Sequence, residues 1–213
     1  MSETLSAVIG DAFGLAGWPA GNVAGLALKK LLDARLGRAR DILLAELSVG
    51  AISQAEAATD ESVAIIYRYL RSAQEGAARL NLRLLAAVFT GQVKDGAIAA
   101  DQFLYYADIL ASLKRDELII LGSLLRVSNE IGHDKPPREL QMRVLAELVP
   151  DPFKTVEDYS AAAGALQRTG LVASVLPGQN FGSGGGVIFK PTSLLSKLND
   201  LAEIEGVLDR SNG

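Results

Sequence analysis

The chain contains no cysteine and a single histidine, His133. The first absence excludes disulfides and thiolate metal sites. The second means that a metal cluster or a nucleophile–base–acid triad built around His133 would have only carboxylates to draw on as further partners. His133 lies beside Asp134 and two prolines, the setting of a solvated loop residue. Neither sign of charge dominates: 21 Lys and Arg stand against 25 Asp and Glu, a net charge of -4. Such a chain gains nothing from bulk electrostatics on approaching nucleic acid or an anionic membrane, so either contact needs a local basic patch. No run is long and apolar enough to read as a membrane span. Met1-Ser2-Glu3-Thr4 provides no basic stretch ahead of an apolar one, which argues against a secretory signal. These features fit a reducing cytoplasm.

What is present is a globular composition. Hydrophobic residues make up 49% and charged residues 22% of 213 residues, enough for one large domain or two small ones. We divide the chain into a glycine-rich amino-terminal segment with an amphipathic helix (1–50), a helical domain (51–113) and a winged-helix-like domain (114–213). The class is mainly α: a helical bundle followed by a unit of three helices, a β-hairpin and a terminal helix.

Ala12 to Leu28 is uncharged and carries Pro19 with glycines at Gly14, Gly17, Gly21 and Gly25. The Gly17, Gly21, Gly25 spacing is the one used for close helix packing in lipid, and Trp18 suits an interfacial anchor. Leu26 to Leu47 follows as an amphipathic helix, with Leu28, Leu31, Leu32, Leu36 and Leu43 in a stripe and Lys29, Lys30, Arg35, Arg38 and Arg40 on its flanks; Gly50 ends it. Two readings stand: a helix hairpin folded onto the bundle, its glycines allowing close approach, or a segment that contacts a membrane surface or partner through Gly17, Trp18, Gly21, Gly25, Lys29, Lys30 and Arg35.

Farther along, Ser53 to Glu56 has capping-box spacing, and Thr59 followed by Asp60 and Glu61 is a second helix start. Helical periodicity then runs to Gly91, as one long helix or as two with a bend near Gly76. Gln92 to Ala97 reads as a polar turn. Phe103, Ala107 and Leu110 mark the next helix; Leu118, Leu121 and Leu125 another; Leu140, Val144 and Leu148 a third. Thr155 caps a helix that buries Tyr159, Ala162, Ala163 and Leu166 and stops at Gly170. Then the period changes. Leu171–Leu176 and Val187–Lys190 are short β-prone runs around a glycine-rich tip holding Phe181 and Gly184. A last helix carries Leu194, Leu195, Leu198, Leu201 and Ala202. Phe181 either stands out as an anchor for a partner or tucks back onto the domain.

No motif carries chemistry. Gly182 to Gly186 leads into a strand with no following Lys-Ser or Lys-Thr, so neither a phosphate loop nor a dinucleotide fingerprint is present. The acid pairs Asp60/Glu61, Asp116/Glu117 and Glu157/Asp158 sit at helix starts, where the helix dipole accounts for them. We expect no catalytic residue, metal, cofactor or small-molecule substrate. A winged helix invites DNA binding, but reading a duplex takes cations on phosphates and donors on base edges. The expected recognition helix supplies only Arg168, opposed by Glu157 and Asp158. Arg138, Arg143, Lys154, Lys190 and Lys197 lie nearby as material for a basic patch, with Lys154 and Lys190 the further candidates for nucleic-acid contact.

Taken together, Leu82-Arg83-Leu84-Leu85-Ala86, Ile109-Leu110-Ala111-Ser112-Leu113, Asp116-Glu117-Leu118-Ile119-Ile120-Leu121 and the closing Phe189-Lys190-Pro191-Thr192, behind a glycine-rich amphipathic start, resemble the abortive infection alpha group of bacterial proteins. The resemblance implies a non-enzymatic protein linked to phage defence or mobile elements. From the residues, the expected function is interaction with a protein partner or with further copies of the chain. A DNA-binding regulator is the alternative.

Overall fold

The computed structural model describes residues 23–132, 136–175 and 187–212. The chain divides into two compact units, with the division in sequence between Ser112 and Leu113. Among the described residues there are nine α-helices and one two-stranded sheet, a mainly helical bundle followed by a winged-helix-like unit.

The first unit holds four helices: α1 (Val23–Val49), α2 (Asp60–Glu75), α3 (Arg79–Lys94) and α4 (Ala100–Leu110). Helix α1 belongs to this bundle and packs on α2 and α3. Its buried stripe is Leu36, Ala39, Ile42, Leu43 and Leu47. The expected stripe is thus correct only toward the carboxy-terminal end: Leu31 is 64% and Leu28 41% exposed, and Leu32 is half-buried. The reason is that leucine spacing alone does not say where the neighbouring helices begin. Gly50 also does more than end the helix. A Cβ there would run into Thr90 Cγ2 of α3, while the left-handed turn itself falls on Ala51.

Helix α2 starts at Thr59, whose hydroxyl accepts from the Ser62 amide at 3.3 Å. It ends at Gly76, which takes φ 101°, a conformation that costs a residue with a Cβ. The Ala77 amide then reaches back to the Ser72 carbonyl at 2.9 Å. Two helices therefore stand where the periodicity ran on. The Ser53–Glu56 box forms (Ser53 N–H to Glu56 Oε2 2.8 Å, Glu56 N–H to Ser53 Oγ 3.2 Å), but it closes a turn ahead of α2 rather than starting a helix. Helix α3 is the centre of the bundle, with an unbroken buried run from Leu84 to Thr90. It continues through the expected polar turn to Lys94. There Gln92 is buried, and its amide donates to the Ala99 carbonyl at 3.3 Å and to Gln102 Oε1 at 3.2 Å. The hydroxyl of buried Tyr69 donates to the Ala39 carbonyl at 2.7 Å, tying α2 to α1.

The second unit holds α5 (Arg115–Ile131), α6 (Pro137–Leu148), α7 (Val156–Leu166), a 3-10 turn at Gln167–Thr169, strands β1 (Val172–Val175) and β2 (Ile188–Pro191), then α8 (Ser193–Ala202) and α9 (Ile204–Asn212). Thr155 caps α7, accepting from the Asp158 amide at 3.1 Å. Gly170 adopts φ 71° and turns the chain into the antiparallel hairpin, whose register pairs Val172 with Pro191 and Val175 with Ile188. Phe153, Tyr159 and Phe189 meet edge-to-face, with ring centroids 5.9 and 6.2 Å apart, and form the aromatic heart of the unit. The final helix expected from sequence is followed by a second. Glu203 takes a left-handed φ of 46°, and α9 buries Ile204 and Val207. Gly122 of α5 lets α9 approach, since a Cβ there would strike Leu208.

Candidate functional site

The winged unit brings Arg168 to a carboxylate, not to solvent phosphates. Glu117 follows Lys114 at the start of α5, and its side chain is only 3% exposed. Arg168 donates to it through both terminal nitrogens, the longer bond being 3.0 Å, and also to its own Ala165 carbonyl at 2.6 Å. The Lys114 amide adds a third bond to the carboxylate at 2.8 Å. Burial pushes the Glu117 carboxyl up. The Arg168 hydrogen bond, the Lys114 amide and the charges of both residues outweigh that, and hold it below the usual carboxylate range. The first-turn dipole therefore accounts for exposed Asp116 but not for Glu117, which is a buried ion-pair anchor. Its missing signal is tertiary, because the partner lies 51 residues away.

Other arginines of this unit follow the same course. Arg126 pairs with Glu147 and, at 3.4 Å, with Glu205. Burial pushes the Glu205 carboxyl up, with Asp209 and Glu130 adding to the rise and Arg126 opposing it. Arg143 lies 3.6 Å from Glu139 and 4.0 Å from Glu130. Lys154 lines a hollow of about 500 Å³ with Lys114, where Asp116, Glu117 and Asp158 oppose both. Lys190 is exposed on β2. Arg126, Arg143 and Arg168 of this unit thus each face an acid.

Of the amino-terminal candidates, Lys29, Lys30 and Arg35 are exposed on α1. Gly25 lies in the first turn of that helix. Gly17, Trp18, Gly21, Phe181, Gly184 and His133 lie outside the described residues. No helix among the described residues is long and apolar enough to cross a membrane, and none of their His, Asp and Glu groups forms a metal-binding cluster.

The sequence reading missed a pocket in the first unit. It has a volume of about 490 Å³ and is lined by Arg35 and Arg38 of α1 and Arg79 and Arg83 of α3, with Asp41 as the only acid in the lining. Ile42, Ala45, Ala73 and Leu82 supply apolar wall. Arg35 crosses to the end of α2, donating to the Gln74 carbonyl at 3.4 Å beside Gly76. The i, i+3 spacing of Arg35 and Arg38 and the i, i+4 spacing of Arg79 and Arg83 were legible as helix faces. That the two faces border one cavity was not.

Set against protein-family models, curated proteins and solved structures, the chain matches none of them.

Proposed function

We propose that this chain is a non-enzymatic interaction protein, acting through contacts with other copies of itself or with a protein partner, and that its winged unit is a structural or protein-binding module. The observation that carries the reading is the fate of Arg168. The one cation of the expected recognition helix is spent on a buried carboxylate of its own unit. Winged helices serve many roles, so shape alone does not argue for DNA. The resemblance to the abortive infection alpha group is the ground for reading that role within bacterial phage defence or mobile-element biology. The reading includes a cytoplasmic location, with the amino-terminal part as the point of contact with the inner membrane surface; no helix among the described residues is long and apolar enough to cross a membrane.

The first unit supplies a contact surface. Val63 and Tyr67 on α2, and Leu104 and Tyr105 on α4, are all more than a third exposed, and these two helices pack side by side. Aromatic side chains of this kind are enriched among the anchors of protein interfaces. Sedimentation velocity over a concentration series tests the reading. The expected result is a reversible assembly weakened about tenfold or more by Tyr67→Ser combined with Tyr105→Ser. A chain that remains monomeric at every concentration, or an assembly indifferent to both changes, contradicts it.

A further inference from the structure

The first unit gathers positive charge around one hollow. Four guanidinium groups line one hollow and a single carboxylate, Asp41, shares it. Arg38 and Arg79 form no salt bridge with any described residue, and both are exposed. This contrasts with Arg126, Arg143 and Arg168, each of which faces an acid of its own unit.

The start of α3 adds charge of the same sign. Arg79 is its first residue, no acid follows in the first turn, and Ala78 before it provides no side-chain acceptor. A helix amino terminus carries partial positive charge, so a lysine or arginine there is the unfavourable choice. Helix α2, by contrast, begins with a threonine cap and two acids. Like charges crowded together repel one another unless a counter-charge relieves them.

We propose that this pocket binds a soluble organic phosphate carrying two or more phosphoryl charges. A guanidinium presents a planar fork of N–H donors that matches phosphate oxygens two at a time. The cavity volume falls in the range of small-ligand sites. Its walls divide accordingly: arginines for the phosphoryl groups, and Ile42 and Leu82 for the carbon skeleton. The concave shape favours a compact soluble anion over a bilayer, whose flat surface meets convex basic faces.

Isothermal titration of the full-length chain with ATP and with inorganic pyrophosphate at low salt tests this. Phosphatidylglycerol-containing vesicles are assayed in parallel by flotation. The key variant is Arg38→Gln with Arg79→Gln, which keeps the first two methylenes of each side chain and removes charges that hold no part of the described ion-pair network. Lys154→Ala with Lys190→Ala removes two cations elsewhere. The expected result is one-site binding of both probes, weakened about tenfold or more by the arginine changes and unaltered by the lysine changes. Circular dichroism of all three proteins should coincide. Failure of both probes to bind overturns the proposal. So does binding that survives the arginine changes, or that falls equally in the two double variants. Arginine-dependent flotation with no binding of ATP or pyrophosphate also overturns it, and assigns the cluster to lipid headgroups instead.

Discussion

Replacing Arg168 with alanine strands a carboxylate. Glu117 is 3% exposed and takes bonds from both Arg168 nitrogens and from the Lys114 amide. Removing one partner of a fully buried pair costs about 3–5 kcal/mol. Arg168 is itself 46% exposed, so water reaches part of the gap, and we expect a smaller loss of about 1.5–3 kcal/mol near neutral pH. Glu117→Gln should cost less, because the half-exposed guanidinium it leaves can be hydrated. The pH dependence has a definite sign. The folded-state value of Glu117 lies below its unfolded value of about 4.3. The stabilisation is therefore complete above that unfolded value and is lost as pH falls through the lowered folded one. Urea unfolding followed by circular dichroism should show a wide gap between wild type and Arg168→Ala near neutrality, narrowing steadily on acidification. A gap below about 0.5 kcal/mol at neutral pH, the size of an ordinary surface change, would refute this reasoning. So would one that does not narrow in acid.

Tyr69→Phe removes a buried donor and leaves the Ala39 carbonyl unpaired, with an expected loss of about 1–2 kcal/mol in urea unfolding. In a spectrophotometric titration of the native protein, Tyr69 should resist ionisation, since burial and the neighbouring Glu46 push its hydroxyl above the usual tyrosine range; Tyr159 is pushed up to about 12 by burial, with Gln141 opposing. Leu43→Ala, in the buried stripe of α1, should cost about 2–5 kcal/mol, whereas Leu31→Ala, 64% exposed, should stay within about 0.5 kcal/mol. Equal effects would mean that α1 is not part of the bundle core. Gly170→Ala should destabilise by about 1 kcal/mol or more, because φ 71° disfavours a Cβ even though the space around it is adequate.

Local chemistry was the legible part of this chain. Thr59 and Thr155 act as helix caps, Gly170 adopts a left-handed conformation, a break falls at Gly76 as one of the two alternatives there, and the period change after Gly170 marks the hairpin. Each of these depends on a residue and its near neighbours. Helix α9 escaped because Gly206 and a polar tail weaken its propensity, and what holds it is burial of Ile204 and Val207 with close approach at Gly122. The end of α3 was misplaced because Gly91 looks like a terminator, while buried Gln92 finds partners on the far side of the turn. The site-level features were the least legible. Glu117 with Arg168, and the arginines of α1 with those of α3, are brought together by tertiary packing that spacing along one helix does not encode. Arg168 read as an available cation for the same reason.

The most direct measurement is fluorescence anisotropy of labelled duplex DNA with the full-length chain, repeated across a salt series and with Lys154→Ala combined with Lys190→Ala. With Arg168 held by Glu117 and Lys154 opposed by neighbouring acids, no saturable binding that depends on those lysines is expected even at low salt. Saturable binding that falls steeply with salt, at a slope near -0.9 per phosphate contact, and weakens in the lysine variant would contradict it.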